Sequence, residues 1–478
     1  MNIEEFKENG YKIVDWICNY FENIEKYPVK SQLEPGEIFK RISEKPPEKG
    51  EKFNDIFIDF DKKIIDGVTH WQSPNFFAYF PANNSFPSIL AEFLTAGLGL
   101  QCMMWITSPA ATELEEKMMN WLRFAIGLQE SYYGVIQDTA STATLVSILT
   151  AREKYSDFEI NSNGFNDKFK YRVYCSTEAH SSIEKAVKIA GIGSQNLIKI
   201  DVDDNFAMKS EKLRESISRD ISEGFTPLCV VAALGTTGST AVDPIYKIGE
   251  ICKEFSVWFH IDAAYAGSAL ILDEYKYLRQ GLELCDTFVF NPHKWLMTNF
   301  DCSAYFVKDK EALIRTFEIL PEYLKTPEVT HVNNYRDWGI QLGRRFRALK
   351  LWFVLRYFGL EGLKEKLRQD ISLTKYLEDI IRNDKDFEIL APVDFNVICF
   401  RFRPEGISNV EIINHINEEL MNKINSTGRA YFTHTKLNGS FVIRFVIGQT
   451  NVNKENVDNA WKLIKTITNE LKIIKGFK

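Results

Sequence analysis

Residues 286–297 read Asp-Thr-Phe-Val-Phe-Asn-Pro-His-Lys-Trp-Leu-Met, and this stretch decides how the rest of the chain is interpreted. Thr287–Phe290 is rich in β-branched and aromatic residues, which is typical of a buried strand, and Pro292 ends it because proline lacks the ladder donor. Lys294 therefore follows a strand end directly. The apolar residues 295–297 would desolvate its ammonium group and lower its pKa, the condition for a nucleophilic lysine. The alternative is a structural lysine whose stem packs on the core while its charge reaches water.

The composition is that of an ordinary globular protein, with 45% hydrophobic and 26% charged residues in 478. This length predicts two or three domains. A net charge of -7 argues against a nucleic-acid partner, which would require a basic face. The sequence has no membrane-length apolar run, no signal peptide and no Cys-x-x-Cys among its eight cysteines. We therefore expect a cytoplasmic protein with reduced thiols, no membrane partner and no metal.

The first 112 residues combine one clear helix with many prolines. Apolar residues recur at helical spacing over residues 1–25, which predicts an amphipathic helix. Four prolines predict an extended arm over 27–52, followed by a second helix near 53–67. A helix and an arm have little core of their own, so wrapping around another subunit is expected. Residues 70–112 mix aromatics with prolines and predict loops, which either line a pocket for a flat ligand or form plain core.

From residue 113 onward the pattern alternates between helices and short apolar strands. This alternation predicts βαβ units and a mostly parallel sheet covered on both faces. Asp243 before Pro244 predicts a helix N-cap. A long helix is expected from about 345 to 382, followed by a small α+β region to the C-terminus. The predicted strands of the large sheet are 135–137, 172–175, 228–234, 257–261, 287–290 and 304–307.

Three strand ends carry polar groups at the edge where such sheets bind ligands. Residues 138–142, Asp-Thr-Ala-Ser-Thr, precede a helix and offer donors to a phosphate, although simple helix capping would explain them equally. Asp262 follows a buried strand, where a carboxylate needs a partner such as a protonated ring nitrogen. His180 follows another strand, and by itself is typical of a structural residue. Phosphate donors, a carboxylate, a flat ring and a Schiff-base lysine are together the four needs of pyridoxal 5'-phosphate.

Four motifs resemble the group II pyridoxal phosphate decarboxylases, specifically the aromatic-L-amino-acid decarboxylases. They are Asn291–Trp295, Asp262–Gly267, Ala179–Ser182 and Leu342–Arg347. The resemblance covers nearly the whole chain. It implies an α/β, fold-type-I homodimer with a mostly parallel central sheet and an active site at the subunit interface. The expected domains are an N-terminal dimer-wrapping arm (1–85), a large cofactor-binding domain (86–375) and a small α+β C-terminal domain (376–478).

The same resemblance implies a role for each site residue. Lys294 would form the Schiff base, Asp262 would bind the pyridine nitrogen and His180 would stack on the ring. Tyr323, in the loop Pro321–Lys325, would protonate Cα after carbon dioxide leaves while water is excluded. The remaining cofactor neighbours implied are Thr237, Ala264, Ala140, Ser141, Asn291 and His293.

The implied activity is conversion of aromatic L-amino acids to arylalkylamines and carbon dioxide. Gly343 matches a position where plant relatives with indole substrates have glycine, which favours tryptophan and tryptamine over phenylalanine, tyrosine or dopa. One alternative is an aldehyde synthase, in which phenylalanine replaces the loop tyrosine or asparagine replaces the stacking histidine; both Tyr323 and His180 are retained here. Another is a decarboxylase of a different L-amino acid. The expected substrate-binding residues are Trp71, Tyr79, Phe80, Pro81, Ala82, Gln101, Met103 and Gly343.

Four positions depart from the family pattern. Asp138 replaces a glycine near the expected phosphate site, where an extra anion is unfavourable unless it points away. Ala82 replaces a threonine near the substrate carboxylate. Gln101 and Met103 replace apolar and aromatic residues that reach the partner subunit's pocket, so these changes bear on substrate preference.

Overall fold

The computed structural model describes residues 1–319 and 332–475. These residues group into two compact units. Unit 1 comprises Met1–Pro81, Leu373–Leu390 and Ile398–Lys478, and unit 2 comprises Ala82–Ser372 and Ala391–Val397. The division into domains 1–85, 86–375 and 376–478 stays a prediction.

Unit 1 begins with three helices, α1 (Ile3–Glu22), α2 (Glu37–Arg41) and α3 (Phe53–Asp59). A capping box starts α1, because the Asn2 side chain accepts from the Glu5 N–H and the Glu5 carboxylate accepts from the Asn2 N–H. No residue of α1 is buried among the described residues. The helices predicted over residues 1–25 and near 53–67 are confirmed as α1 and α3. Helix α2 lies within residues 27–52, which were expected to be extended. Gly36, at φ +90°, allows the chain to turn into α2.

Unit 2 contains the large sheet and most of the helices. Its sheet has seven strands in the order β1-β7-β6-β5-β4-β2-β3. The strands are β1 (Tyr133–Gln137), β2 (Tyr171–Ser176), β3 (Leu197–Ile200), β4 (Thr226–Ala233), β5 (Trp258–Asp262), β6 (Thr287–Phe290) and β7 (Ser303–Val307). The helices are α4 (Phe86–Leu98), α5 (Pro109–Ile126), α6 (Ala140–Tyr155), α7 (Glu159–Asn163), α8 (Ser182–Ile189), α9 (Ser210–Ser222), α10 (Ile245–Phe255), α11 (Pro292–Trp295) and α12 (Lys310–Phe317).

The strand directions confirm the predicted α/β class with a mostly parallel sheet. Strands β2 to β6 pair in parallel with their neighbours, whereas β7 runs antiparallel to both β1 and β6. The carboxyl ends of β1, β2, β4, β5 and β6 therefore lie at one edge, together with the start of β7. This is the edge at which ligands bind in such sheets.

Two local predictions were wrong for physical reasons, and one strand was not predicted. Residues 70–112 are not all loop, because α4 lies within them and Pro87 occupies its first turn, where proline's missing N–H is not needed. The edge strand β3 was missed. Asp243 does not cap α10; its carboxylate accepts instead from the backbone N–H groups of Ala233 and Met208, both at 2.7 Å.

The last part of the chain returns to unit 1 through a long helix, α13 (Arg347–Arg382), which is broken at Gly359 with φ 63°. Four more strands form a sheet in the order β10-β11-β9-β8. These strands are β8 (Phe387–Ile389), β9 (Val397–Phe402), β10 (Thr433–Leu437) and β11 (Ser440–Val446), and the helices are α14 (Val410–Ser426) and α15 (Lys454–Lys475). Within the described ranges, no helix has the length and apolar character needed to span a membrane.

The buried His260 on β5 makes stability depend on pH. Its ring lies between the hydroxyl groups of Thr144, 3.2 Å from Nε2, and Thr287, 2.8 Å from Nδ1. Burial lowers the pKa of His260 from 6.5 to about 4. Between these pH values the histidine is protonated in the unfolded chain and neutral in the folded protein. Stability is therefore lost as pH falls through this window.

We expect His260 to contribute about 2 kcal/mol of acid destabilisation between pH 7 and 5. Urea unfolding of the wild type and of His260→Gln at both pH values measures this contribution. The variant should be less stable at pH 7 and should lose less stability on acidification. Equal losses in the two proteins would contradict the assignment.

Candidate active site

Lys294 lies on a single helical turn just beyond the carboxyl end of β6. Its backbone N–H donates to the Asn291 carbonyl at 2.9 Å, and its side chain is half-buried. The flanking His293 and Trp295 are both buried. Lys294 therefore follows the end of β6 directly, as the sequence predicted, and its side chain is partly exposed at this edge of the sheet.

Asp262 is the last residue of β5 and lies between Ala233 of β4 and Val289 of β6 in the sheet register. Its side chain is half-buried, and Oδ1 accepts from the Ala264 N–H at 3.0 Å. Ala264 in turn accepts from the Asn291 N–H through its carbonyl at 3.0 Å. These bonds join the turn that follows Asp262 to the turn that carries Lys294.

His180 lies within electrostatic range of both of these groups. Burial lowers the pKa of His180 although part of its side chain is exposed; Asp262 opposes this shift, and Lys294 and Lys185 add to it. The Ser182 N–H donates to His180 Nδ1 at 3.2 Å, so in the neutral ring the proton resides on Nε2. A neutral imidazole with a defined tautomer thus lies near the lysine and the carboxylate.

The start of α6 forms the side of the site predicted to bind phosphate. Thr139 caps the helix by accepting from the Thr142 N–H, and Ala140 and Ser141 form its first turn, where N–H groups have no intrahelical partner. The departure at Asp138 is accommodated by two donors. Its Oδ1 accepts from the Thr139 N–H at 2.6 Å, and its Oδ2 accepts from Gln341 Nε2 at 3.2 Å.

Ser303, at the start of β7, is a residue of this sheet edge that the sequence prediction did not include. Its hydroxyl lies 2.7 Å from Asn291 Oδ1 and 3.3 Å from the Asp138 carbonyl, so it joins the ends of β6 and β1. Cys302 N–H donates to His293 Nδ1 at 2.9 Å, and burial is the main cause that lowers the pKa of His293 to about 3. Only the antiparallel direction of β7 could have indicated these contacts.

The predicted substrate residues of unit 2 include one close pair. A Cβ added at Gly343 would lie 3.2 Å from Gln101 Nε2, and Gln101 Oε1 accepts from the Arg344 N–H at 2.7 Å. The Met103 carbonyl accepts from the Arg336 N–H at 2.9 Å. Ala82 is the first residue of unit 2.

The other predicted substrate residues belong to unit 1, where they form an aromatic group. Trp71 stacks on Tyr79 with ring centroids 5.6 Å apart, and the Phe80 ring lies 5.1 Å from the Arg444 guanidinium. Pro81 ends this unit's first segment. Thr237 of unit 2 is half-buried in the turn after β4. Tyr323 lies outside the described residues.

The donor set at this sheet edge fits pyridoxal phosphate. Helix-terminal N–H groups and the exposed Ser141 hydroxyl suit a phosphate, and the Asp262 carboxylate suits a protonated ring nitrogen. Lys294 supplies the amine for the aldehyde carbon. No described group of three or more His, Cys, Asp and Glu side chains is arranged to hold a metal ion.

Comparison with known proteins places this arrangement in a family. The family model described as "Pyridoxal-dependent decarboxylase conserved domain" matches residues 35–403. Phenylacetaldehyde synthase of Arabidopsis thaliana is 42% identical over 97% of this chain and 96% of its own length. Tyrosine decarboxylase 2 of Narcissus pseudonarcissus is 41% identical over 97% and 94%.

Comparison with a solved structure supports the same family and identifies the fold. Tryptophan decarboxylase of Catharanthus roseus in complex with L-tryptophan is 38% identical, with a TM-score of 0.93 over 98% of this chain and 99% of that one. The predicted fold-type-I architecture is thereby confirmed. From its sheet edge, its donor set and these matches, the chain belongs to the pyridoxal-dependent decarboxylases, within the aromatic amino acid group, and its cofactor is pyridoxal 5'-phosphate.

Proposed function

We propose that the protein converts aromatic L-amino acids to arylalkylamines and carbon dioxide, with tryptophan, giving tryptamine, preferred over phenylalanine, tyrosine and dopa. The observation that carries the proposal is the grouping of Lys294, Asp262 and His180 at one sheet edge, close enough for the two charged groups to act on the pKa of the histidine. An amine, an anion and a neutral ring are what an amino acid decarboxylase needs around its cofactor.

Each of these residues has a distinct proposed task. Bound pyridoxal phosphate supplies the sink for the electron pair left at Cα when carbon dioxide departs. Lys294 would hold the cofactor covalently, and the substrate amine would replace it. The Asp262 carboxylate would keep the ring nitrogen protonated and so preserve the capacity of the ring to accept the electron pair. His180 would stack on the ring and, because burial lowers its pKa, would add no second positive charge there near pH 7.

The last chemical step requires a proton at Cα. We assign this proton to the hydroxyl group of Tyr323, and the matching loop motif 321–325 supports the assignment. Protonation at Cα gives the amine, whereas oxidation at that carbon would give the aldehyde. Retention of both Tyr323 and His180 therefore favours the amine over the aldehyde synthase alternative.

The preference for tryptophan rests on the absence of a side chain at position 343. An added Cβ would meet the Gln101 amide at 3.2 Å, so a larger residue would force that amide to move. Glycine at this position leaves more room for a two-ring side chain than serine would. A single methylene is worth about 1–3 kcal/mol in such discrimination, which makes the preference graded.

We also propose that two copies form the working enzyme. The α1 helix exposes apolar side chains, among them Ile3 at 75% and Phe6 at 64%, and α4 exposes Phe86 at 60% and Leu90 at 54%. Apolar faces of this kind are typical of protein interfaces. A cytoplasmic location is proposed as well, because all eight cysteines are free thiols and seven are buried.

The first prediction from the proposed function concerns Lys294. Purified protein with added pyridoxal phosphate should show a visible absorption band, and Lys294→Ala should abolish it because the amine proposed to bind the aldehyde is removed. Lys308→Ala is the matched control, since Lys308 follows the far end of β7 at the opposite edge of the sheet. Survival of the band in Lys294→Ala, or its loss in Lys308→Ala, would contradict the assignment.

The second prediction concerns the products. Each aromatic L-amino acid should release carbon dioxide and amine in equal amounts, with the highest kcat/KM for tryptophan. Tyr323→Phe should reduce amine formation and raise aldehyde, because the proposed acid is removed. Measuring carbon dioxide, amine, aldehyde and hydrogen peroxide together distinguishes these outcomes. Aldehyde and peroxide in equal amounts from the wild type would overturn the amine assignment, and a different preferred substrate would overturn only the tryptophan preference.

The third prediction concerns assembly. Light scattering should give about twice the chain mass of 55.2 kDa. Replacing Ile3 and Phe6 by glutamate should shift the protein towards monomer, since charges cannot be buried in an apolar contact without a partner. A folded, active monomer for the wild type would contradict the proposal.

A further inference from the structure

The turn that carries Lys294 is too short to hold its own shape. α11 has four residues, Pro292–Trp295, and isolated helices of this length are not stable. Its orientation must therefore come from contacts made by the residues around the lysine. Asn291 and His293 provide two of these contacts, through Ser303 and Cys302. Trp295 provides further contacts.

Trp295 is buried, with 1% exposure, and is held on two sides. Its ring stacks on Tyr265, with centroids 5.0 Å apart and planes at 10°. Its indole Nε1–H donates to Asp370 Oδ2 at 2.9 Å. Tyr265 lies three residues after Asp262 and accepts from Asn396 Nδ2 at 2.5 Å. The stacked rings thus join the chain next to the lysine to the chain next to the carboxylate.

Asp370 is fully buried on α13 and forms an ion pair with Lys366 at 2.7 Å, one turn earlier on the same helix. Burial raises the pKa of Asp370 to about 6, and Lys366 and the Trp295 N–H oppose this rise. A buried pair of this kind contributes little net stability compared with apolar side chains of the same volume. A function in fixing geometry therefore accounts for it better than stability alone.

We propose that Asp370 is a positioning residue for Lys294, which acts by fixing the indole of Trp295 against Tyr265 and so sets the direction of the lysine relative to Asp262. The proposal rests on the role proposed above for Lys294. Loss of the indole hydrogen bond lets the short turn rotate while the sheet and the remaining fold persist. The lysine still binds the cofactor, but at a changed angle to the Asp262 carboxylate.

Two double variants isolate the hydrogen bond from the ion pair. Lys366→Met with Asp370→Asn removes both charges but keeps an oxygen that accepts from the indole. Lys366→Met with Asp370→Leu removes both charges and the acceptor. Trp295→Phe keeps an aromatic ring for the stack and removes the donor together with part of the ring volume, and it remains informative if the leucine variant does not fold.

The readouts are visible circular dichroism of the bound cofactor, the pH midpoint of its visible band, and kcat and KM measured separately. In the leucine variant and in Trp295→Phe we expect the dichroism to change, the midpoint to move by about half a unit or more, and kcat to fall about tenfold with little change in KM. The asparagine variant should resemble the wild type in all of these.

A matched control is available in unit 2. Asp220 is buried and accepts from the Tyr174 hydroxyl at 2.8 Å, on elements away from the lysine turn. Tyr174→Phe should lower the melting temperature and leave the cofactor signals unchanged. If Trp295→Phe behaves in the same way, or if the asparagine and leucine variants have the same dichroism and midpoint, the positioning role is refuted. Survival of the visible band in Lys294→Ala would instead refute the proposed function.

Discussion

Parallel strands place their carboxyl ends at one edge of a sheet, and in unit 2 this constraint gathers the candidate site. Asp262 ends β5, Lys294 follows β6 and the turn proposed to bind phosphate follows β1. These strands are far apart in sequence, and only the shared direction brings their ends together. The reversed strand β7 completes the edge, because its first residue, Ser303, reaches the ends of both its neighbours. A seventh strand in the parallel direction would have placed Ser303 at the opposite edge.

The charges at this edge explain why a histidine suits the stacking role proposed for His180. Lys294 and burial lower the pKa of His180 more than Asp262 raises it. The ring therefore stays neutral near pH 7, and its Nδ1 is committed as an acceptor for the Ser182 N–H. A neutral ring can lie against a protonated pyridine without repulsion, whereas an imidazolium could not. Asp262 thus remains the charge partner available for a cationic nitrogen.

Local sequence patterns predicted features that depend on interactions between residues close together in the sequence, such as the bounds of a strand. The bounds of β6, Thr287–Phe290, were predicted correctly because proline ends the strand. Helix α4 was not predicted because proline usually breaks a helix. Pro87 lies in the first turn of α4, where a helix tolerates proline. Asp243 was predicted to be an N-cap, but its carboxylate instead accepts hydrogen bonds from the N–H groups of Ala233 on β4 and of Met208. The contacts of Ser303, Tyr265 and Asp370 depend on strand direction and on helix packing across long sequence separations, which no local pattern encodes.

The buried pair Lys366–Asp370 shows how a costly interaction can be retained next to a functional turn. Removing two charges from water is expensive, and the salt bridge at 2.7 Å and the indole donor at 2.9 Å are among the contacts that offset this cost. Apolar packing would serve stability equally well, but it has no direction. A carboxylate oxygen accepts preferentially near its lone-pair directions, so it favours one orientation of the Trp295 indole as well as one place for it. Because Trp295 adjoins Lys294 on a four-residue turn, favouring that orientation restricts the rotation of the lysine as well.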